Sequence, residues 1–373
     1  MKFTIDKEEF SKTLTNVCRI VQKGSNPILY NIKLTLNELG LNIIGSNGDL
    51  SISQTIPLFI GQKEIIRDVH QGSILIDARL ISEIVKKFAG KEVVFEIIDG
   101  CVAKVTDNKT SYELATSNAE EYVDIDFSCQ GTNLKFESKT LLNAVNQVAF
   151  AASTKDNRTI IQAINFNASD KKLVLIALDG ARLATKTLSI DSDESFNVNI
   201  PAKNLVESLK SVTNEEFIEF YISYNKLLIV LNNQLISLTM LSGLYPDTKR
   251  VIPHELFYEL TVNSNEILNA IDRISVLNME KENVVKLVMN ANAIELSSRS
   301  QSYSSSAVET LNEFRYKGNQ LEICFNGENV VEAVKALKSQ NVTFKFVGEM
   351  KPFVVIDEND NSVLQLITPM HSI

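Results

Sequence analysis

The residue types that most often carry catalysis are sparse in this chain and lie far apart. The three histidines, His70, His254 and His371, do not fall into a metal-ligand spacing. The sequence contains neither a glycine-rich phosphate loop nor a Gly-x-Ser-x-Gly elbow around a serine nucleophile. Acidic pairs such as Glu120-Glu121 are typical of solvated linker charges, and the serine-rich stretch 297–306 is typical of an edge strand or loop. We therefore expect no catalytic centre, metal site or cofactor.

The cysteines indicate a reducing compartment. None of the four is close enough to another to form a CxxC metal or redox pair: Cys18, Cys101, Cys129 and Cys324. Cys18, beside the apolar face of a predicted helix, and Cys324, in a strand pattern, are interpreted as reduced packing residues, which predicts a cytoplasmic protein. No apolar run approaches the roughly 20 residues of a membrane helix. The first residues, MKFTIDKEEF, have the pattern of a strand entering a helix, so we expect neither a signal peptide nor a membrane partner.

One hydrophobic pattern recurs six times and organises the whole sequence. Two alternating apolar residues, typical of a strand, are followed by apolar residues at i, i+4 and i+7, typical of an amphipathic helix. The copies begin at Phe3, Ile74, Leu134, Val198, Leu260 and Ile323, about 60 to 70 residues apart. Strand-then-helix patterns occur in any αβ protein, but here the same five offsets recur without an insertion. This regularity predicts an internal repeat.

Each repeat predicts a strand, a helix and three further strands. Paired repeats bury more apolar surface than single ones, so the six units are predicted to form three similar α+β domains with antiparallel sheets. An acidic connector at residues 117–131 and a proline-containing connector at residues 243–255 suit the joins. The predicted domains are residues 1–128, 129–252 and 253–373.

The predicted helical stretches together carry a net positive charge, whereas the whole chain carries a net negative charge. The formal net charge of the 373 residues is −9. The helical stretches together carry +6, which leaves −15 on the remainder: 7–23, 77–91, 138–155, 201–211, 264–275 and 327–339. Helices on one face could approach phosphate, although lysine is also common on ordinary helix surfaces. Since no base-reading motif is present, any contact with nucleic acid should be salt-sensitive and indifferent to sequence.

Several stretches, together with the repeat, resemble the bacterial sliding clamps, the beta subunits of replicative DNA polymerases. The segment ALDGARLA at 177–184 is similar to the family's Asp-Gly-x-Arg-Leu-Ala segment. YPDTKRVIP at 245–253 is similar to its Pro-Asp-x-x-Arg-Val-x-Pro linker. NRTIIQAINF at 157–166, the start MKFTI and the tail LITPMHSI also match. The resemblance spans the whole chain.

The resemblance implies a non-catalytic processivity factor that encircles duplex DNA as a closed, head-to-tail homodimer. Helices would line the hole and antiparallel sheets would form the outside. It also implies the replicative polymerase catalytic subunit, the clamp loader and other proteins with clamp-binding motifs as partners. A size argument supports two chains: helices pack roughly 8 to 10 Å apart, so six leave a hole of about 10 Å and twelve leave about 25 to 30 Å. Only the larger hole admits a duplex, whose grooves alone are roughly 8 Å deep.

The resemblance further implies three sets of site residues. The peptide-binding groove between the second and third domains would comprise Arg158, Ile161, Leu178, Gly180, Arg182, Leu183, Pro246, Arg250, Val251, Leu366, Ile367, Thr368, Pro369 and Met370. The dimer interface would bring Tyr112 and Leu114 against Val276 and Leu277 of the other chain. The DNA-facing basic residues would be Arg19, Lys23, Arg79, Lys86, Lys139, Lys203 and Lys210.

Three points stay open at this level. Ordinary core packing would equally explain Leu178, Leu183 and Val251. The groove also departs from the family pattern at Ala181 and Thr368, and at Pro352 and Asn329 on its rim, so its peptide preference could differ. The alternative to a clamp is an enzyme built on repeated αβ units, such as a hydrolase using surface carboxylates, but the missing histidine and phosphate-loop chemistry disfavours it.

Overall fold

The computed structural model describes residues 1–22, 24, 26–212, 215–277, 283–300 and 304–371. These residues belong to two compact units. The first contains Met1–Ser138 and Glu207–Met240, and the second contains Lys139–Val206 and Leu241–Ile373. The exact boundaries of the three predicted domains stay a prediction.

All six predicted helices are confirmed, and most end earlier than the pattern suggested. Within the described residues they are α1 Lys7–Cys18, α2 Ala78–Lys87, α3 Ser138–Ala149, α4 Ala202–Leu209, α5 Ser264–Ser275 and α6 Gly327–Leu337. Side chains at the preceding residue fix several starts. The Asp6 carboxylate, for example, accepts the backbone N–H groups of Glu8 and Glu9 at 3.0 and 3.1 Å. Such caps satisfy donors that have no partner inside the helix.

The strands follow the predicted order of one before and three after each helix. In the first unit they are β1 Lys2–Asp6, β2 Asn31–Asn37, β3 Gly40–Ser46, β4 Leu50–Pro57, β5 Phe59–Ile60, β6 Lys63–Glu64, β7 Ile66–His70, β8 Gly72–Asp77, β9 Glu92–Ile97, β10 Val102–Thr106, β11 Ser111–Asn118, β12 Thr132–Glu137, and later β17 Phe217–Ile222, β18 Lys226–Leu231 and β19 Gln234–Thr239. In the second unit they are β13 Ala163–Ser169, β14 Lys172–Leu178, β15 Arg182–Ser189, β16 Phe196–Pro201, β20 Tyr258–Asn263, β21 Val284–Met289, β22 Ile294–Ser300, β23 Ser305–Thr310, β24 Phe314–Lys317, β25 Leu321–Asn326, β26 Asn341–Phe346, β27 Phe353–Ile356 and β28 Val363–Ile367.

The repeated apolar positions form the core of the structure. All of them are buried except Val198 and Val212, which are half-buried. Burial of a large apolar side chain stabilises the fold by roughly 1.5 to 3 kcal/mol. The periodicity therefore located the core correctly.

Long antiparallel sheets carry the helices in both units. The first unit has a thirteen-stranded sheet, in the order β12-β17-β18-β19-β4-β3-β2-β8-β11-β10-β9-β1-β7. The second unit has a nine-stranded sheet, β16-β13-β14-β15-β28-β27-β26-β20-β24, and a four-stranded sheet, β23-β22-β21-β25. Two pairings join strands far apart in the chain, β4 with β19 and β15 with β28. We call these two strand pairs the β4–β19 seam and the β15–β28 seam.

The pattern missed four strands, β5, β6, β7 and β24. Three of them are only two to four residues long. β7 has five residues, but only Ile66 is buried, so it has no apolar alternation. Its structure comes from pairing with β1. Within the described part of the chain, no helix is long and apolar enough to cross a membrane.

Asp107 fastens the loop after α2 to the turn before β11. Its carboxylate accepts four backbone N–H groups, from Thr110 (2.8 Å), Ala89 (2.9 Å), Gly90 (3.0 Å) and Lys109 (3.1 Å). These hydrogen bonds, above all that from Thr110, lower the pKa of Asp107 to about 2. The ionised form is favoured because each donor stabilises negative charge.

We predict that Asp107→Asn lowers the free energy of unfolding in a pH-dependent manner. The folded-state pKa lies below the ordinary value of 3.8. The charge therefore stabilises the fold above about pH 4, and this stabilisation is lost as the pH falls towards 2. Urea unfolding followed by circular dichroism, from pH 7 downwards, measures the difference from the wild type. The control is Asp99→Asn, at an exposed position in another turn. A difference that stays constant across the pH range would contradict the assignment.

Candidate peptide groove and strand edges

An apolar cluster lies along the seam between β15 and β28 in the second unit, where the sequence predicts the peptide groove; we call this candidate site the groove. Leu183 pairs directly with Leu366 across the seam, so both side chains lie on the same face. They form a buried cluster with Val354 of the next strand. Half-buried apolar side chains pack around this floor: Ile176, Leu178, Ile252, Ile356 and Leu364. The alternation in β14, β27 and β28 places these residues on one face.

The turn between β14 and β15 forms one wall of the groove. Asp179 Oδ1 accepts the backbone N–H groups of Ala181 and Arg182 at 2.9 and 3.0 Å. Gly180 lies between them with φ of +96°, a conformation that side-chain-bearing residues rarely adopt. A Cβ built on Gly180 would have no atom within 4 Å. The backbone here is therefore open to a ligand.

Arg182 stabilises this turn through contacts with two acidic side chains. Its Nε donates to Asp179 Oδ2 at 2.9 Å, and its guanidinium also pairs with Glu332 of α6. It lies 5.2 Å from the ring centre of Phe150, and its side chain is only 14% exposed. Because both carboxylates already use its charge, Arg182 positions the turn and is poorly placed as a free anchor for a ligand.

The tail after β28 closes the other end of the groove. The backbone N–H and the Oγ1 hydroxyl of Thr368 both donate to the carbonyl of Ala181 at 2.8 Å. Two residues later, the N–H of Met370 donates to the carbonyl of Cys324 at 2.7 Å. Pro369 is half-buried between them. A threonine at 368 thus serves the backbone of the turn as well as lining the groove.

The remaining predicted groove residues divide into rim and core. Pro246, Val251 and Arg250 are exposed, and Arg250 pairs with Asp247 at 3.4 Å. Arg158 is also exposed and donates from Nη2 to an Asp156 oxygen at 2.9 Å, which helps to lower the pKa of Asp156 to about 2. Two other residues of the predicted groove, Ile161 and Ile367, are more deeply buried.

Ile161 and Ile367 are completely buried. Ile367 belongs to the main core of the second unit. Because both side chains are fully buried, neither is available to contact a ligand directly. Sequence reasoning missed Ile176, Val354, Ile252, Ile356 and Leu364, although the strand alternation of β14 and β27 was a usable signal.

The predicted dimer residues lie at open strand edges and at a helix end. Residues Ser111–Ala115 of β11 pair with β10, and β8 takes up only the later part of the strand. Tyr112 is exposed, and its ring centre lies 5.9 Å from that of Phe88. In the second unit, β23 is an edge strand that pairs with β22. Val276 at the end of α5 is 68% exposed, and Leu277 is half-buried.

The basic residues predicted to face DNA differ in how free their charges are. Arg79, Lys86, Lys139 and Lys203 are exposed, although Arg79 forms an exposed ion pair with Glu83 at 3.8 Å. By contrast, Arg19 and Lys210 both pair with Glu207, at 3.0 and 2.6 Å. Arg19 also donates to the hydroxyl of Ser211 at 2.6 Å, so its charge is used within the first unit. Lys23 lies outside the described residues.

Known families match the chain along its length. Profiles of the DNA polymerase III beta subunit match as the N-terminal domain at residues 1–126, the central domain at 135–247 and the C-terminal domain at 249–371. A curated beta sliding clamp from Bacillus subtilis is 34% identical over 378 residues, which cover all of both chains.

The chain belongs to the DNA polymerase III beta subunit family, the beta sliding clamps. Solved structures agree with this sliding clamp assignment over full length. The DNA polymerase sliding clamp of Bacillus subtilis has a TM-score of 0.94 at 32% identity, and the DNA polymerase III beta chain of Streptococcus pneumoniae has 0.94 at 28%. Each alignment covers the whole of this chain and the whole of the solved chain.

The family membership confirms the resemblance seen in the sequence. The fold is the three-domain sliding clamp fold of helices and antiparallel sheets. The function is that of a DNA sliding clamp, a processivity factor and not a catalyst. The alternative of a hydrolase is therefore wrong.

Proposed function

We propose that two copies of this sliding clamp close head to tail into a ring that encircles duplex DNA in the cytoplasm. The observation that carries the proposal is the pair of open strand edges, the Ser111–Ala115 part of β11 in the first unit and β23 in the second. An unpaired edge exposes backbone donors and acceptors that readily pair with another strand. Joining β11 of one chain to β23 of another, at both contacts of a two-chain ring, removes all four edges.

Apolar side chains beside the edges support this closure. Tyr112 and Leu114 lie on β11, Val276 and Leu277 lie at the end of α5, and Val308 on β23 is 63% exposed. Isolated apolar side chains are common on protein surfaces, but apolar residues beside a strand edge invite association. In the ring they would be removed from water.

The charge distribution suits a duplex held without sequence reading. Exposed lysine and arginine side chains on α2, α3 and α4 attract phosphate, while the rest of the chain is strongly acidic. Attraction of this kind weakens steeply with salt and does not discriminate between bases. Retention on DNA then comes from the closed ring, and weak contacts allow the ring to slide.

The groove gives the ring a docking site for replication proteins. Its floor of Leu183, Leu366 and Val354 is buried, while Leu178 and Val251 are accessible at its sides. Short apolar peptides bind such preformed grooves, with backbone groups near an open glycine supplying hydrogen bonds. The proposed partners are the replicative polymerase catalytic subunit, the clamp loader and other proteins with clamp-binding motifs.

We predict that Val276→Asp weakens the dimer by at least about tenfold, because a charge would be desolvated against an apolar partner surface. Val276 is exposed in the single chain, so its own fold should tolerate the change. Sedimentation equilibrium measures the dimer dissociation constant. The matched control, Leu39→Asp, makes the same kind of substitution at a 78% exposed turn position. Unchanged dimerisation of Val276→Asp would place the interface elsewhere.

We predict that Leu183→Ala weakens a clamp-binding peptide by roughly thirtyfold, since truncating a central apolar anchor costs about 2 kcal/mol of binding energy. Fluorescence anisotropy with a labelled peptide from the polymerase subunit measures the affinity. Leu188→Ala is the control, because Leu188 is also buried on β15 but lies outside the groove cluster. If both variants bind like the wild type while remaining folded, the groove is not the docking site.

A further inference from the structure

The seam between β4 and β19 in the first unit has the same backbone arrangement as the β15–β28 seam of the groove. We call this arrangement the frame: a side-chain-capped turn with a glycine, followed by a strand that pairs with a distant strand. Asn47 Oδ1 accepts two backbone N–H groups at 3.0 and 3.1 Å, just as Asp179 Oδ1 accepts two at 2.9 and 3.0 Å. The next residue in each turn is a glycine with positive φ, +101° at Gly48 and +96° at Gly180. The two turns therefore have the same local design.

The register across the two seams also corresponds. The N–H of Thr239 donates to the carbonyl of Asp49 at 2.9 Å, and the N–H of Thr368 donates to that of Ala181 at 2.8 Å. In both seams the strand that follows the turn pairs antiparallel with a strand far away in the chain. The internal repeat has thus built the same docking frame twice.

The side chains on the two frames differ in polarity. Serine stands in the first seam where the groove has leucine: Ser46, Ser51 and Ser237 take the places of Leu178, Leu183 and Leu366. Ser51 and Ser46 are buried, and their hydroxyls are 2.8 Å apart. This frame cannot offer the apolar floor of the groove, so its ligand must be polar.

A cavity lies on this frame. Its volume is about 610 Å³, within the range of roughly 300 to 1,000 Å³ usual for ligand sites. The turn Asn47–Asp49, the connector Val123–Asp126 and the strand residues Ser237 and Thr239 line it. The β4–β19 seam therefore has an open cavity at the position that corresponds to the proposed peptide site of the groove.

The charges around the cavity select the ligand. Lys226 forms an ion pair with Asp126, so these two charges compensate each other. Asp49 and Asp124 are exposed and form no ion pair with any described residue. The lining consequently presents excess negative charge beside serine and threonine hydroxyls. A partner with lysine or arginine side chains matches both features.

We propose that the β4–β19 seam is a second docking site, which binds an extended polar peptide segment carrying lysine or arginine. The basic side chains lie against Asp49 and Asp124, and the peptide backbone runs past the open turn at Gly48. The site gives one chain two docking seams of different specificity, one apolar and one cationic. The inference depends on the proposed role of the groove only for the comparison of the two frames.

The test is a fluorescence anisotropy titration of the full-length protein with the labelled pentapeptide Gly-Lys-Ser-Lys-Gly. We expect saturable binding that weakens with added salt. The double variant Asp49→Asn/Asp124→Asn should weaken binding about fivefold to tenfold. The control Glu38→Gln/Asp99→Asn removes the same charge from exposed turns of the same unit and should leave binding unchanged. Ser237→Leu, which narrows the cavity without changing charge, should also weaken binding.

A competition arm separates the two sites. Saturating the groove with the apolar clamp-binding peptide should not displace the basic peptide, and Leu183→Ala should affect only the apolar one. Displacement would assign the basic peptide to the groove and overturn the second site. Equal binding by all charge variants, or wild-type binding weaker than about 1 mM, would overturn it as well. If the wild type binds the basic peptide but not the apolar one, the groove proposal fails and the second site stands.

Discussion

Antiparallel pairing between strands that are distant in the chain is the constraint on which the rest of the structure depends. Each repeat exposes an edge strand, and an exposed edge invites pairing. Inside one chain, β4 joins β19 and β15 joins β28, whereas the Ser111–Ala115 part of β11 pairs only with β10 and β23 pairs only with β22. The same rule thus accounts for the long sheets within each unit and for the proposed closure of two chains into a ring.

The seams also explain why the two proposed docking surfaces lie where they do. A tight turn with an Asn or Asp cap and a positive-φ glycine precedes each seam strand and leaves the backbone accessible. In the proposal, the side chains at three corresponding positions of each seam then determine which kind of peptide that seam binds. Leucine makes an apolar floor at β15–β28, and serine makes a polar one at β4–β19. Repetition supplies the frame, and a few substitutions supply specificity.

Hydrophobic periodicity was sufficient to predict the six helices, most strands and the core, because burial of one face dictates the spacing. It could not predict β7, whose sequence has little apolar alternation and which is ordered by pairing with β1. Nor could it foresee that Arg182 is paired with two acids and that Arg19 is paired with Glu207, since these pairings depend on contacts between distant segments. The groove residues came from family resemblance, and Ile161 and Ile367 proved to be fully buried.

Topological retention on DNA is the central claim, and one measurement tests it directly. Clamps are loaded onto a nicked circular duplex, and the protein that stays bound is measured at moderate salt before and after the circle is cut once. A sliding ring stays on the circle and runs off the linear ends, so cutting should release most of the protein. Equal retention on circular and linear DNA would show that binding rests on local contacts and would contradict the account.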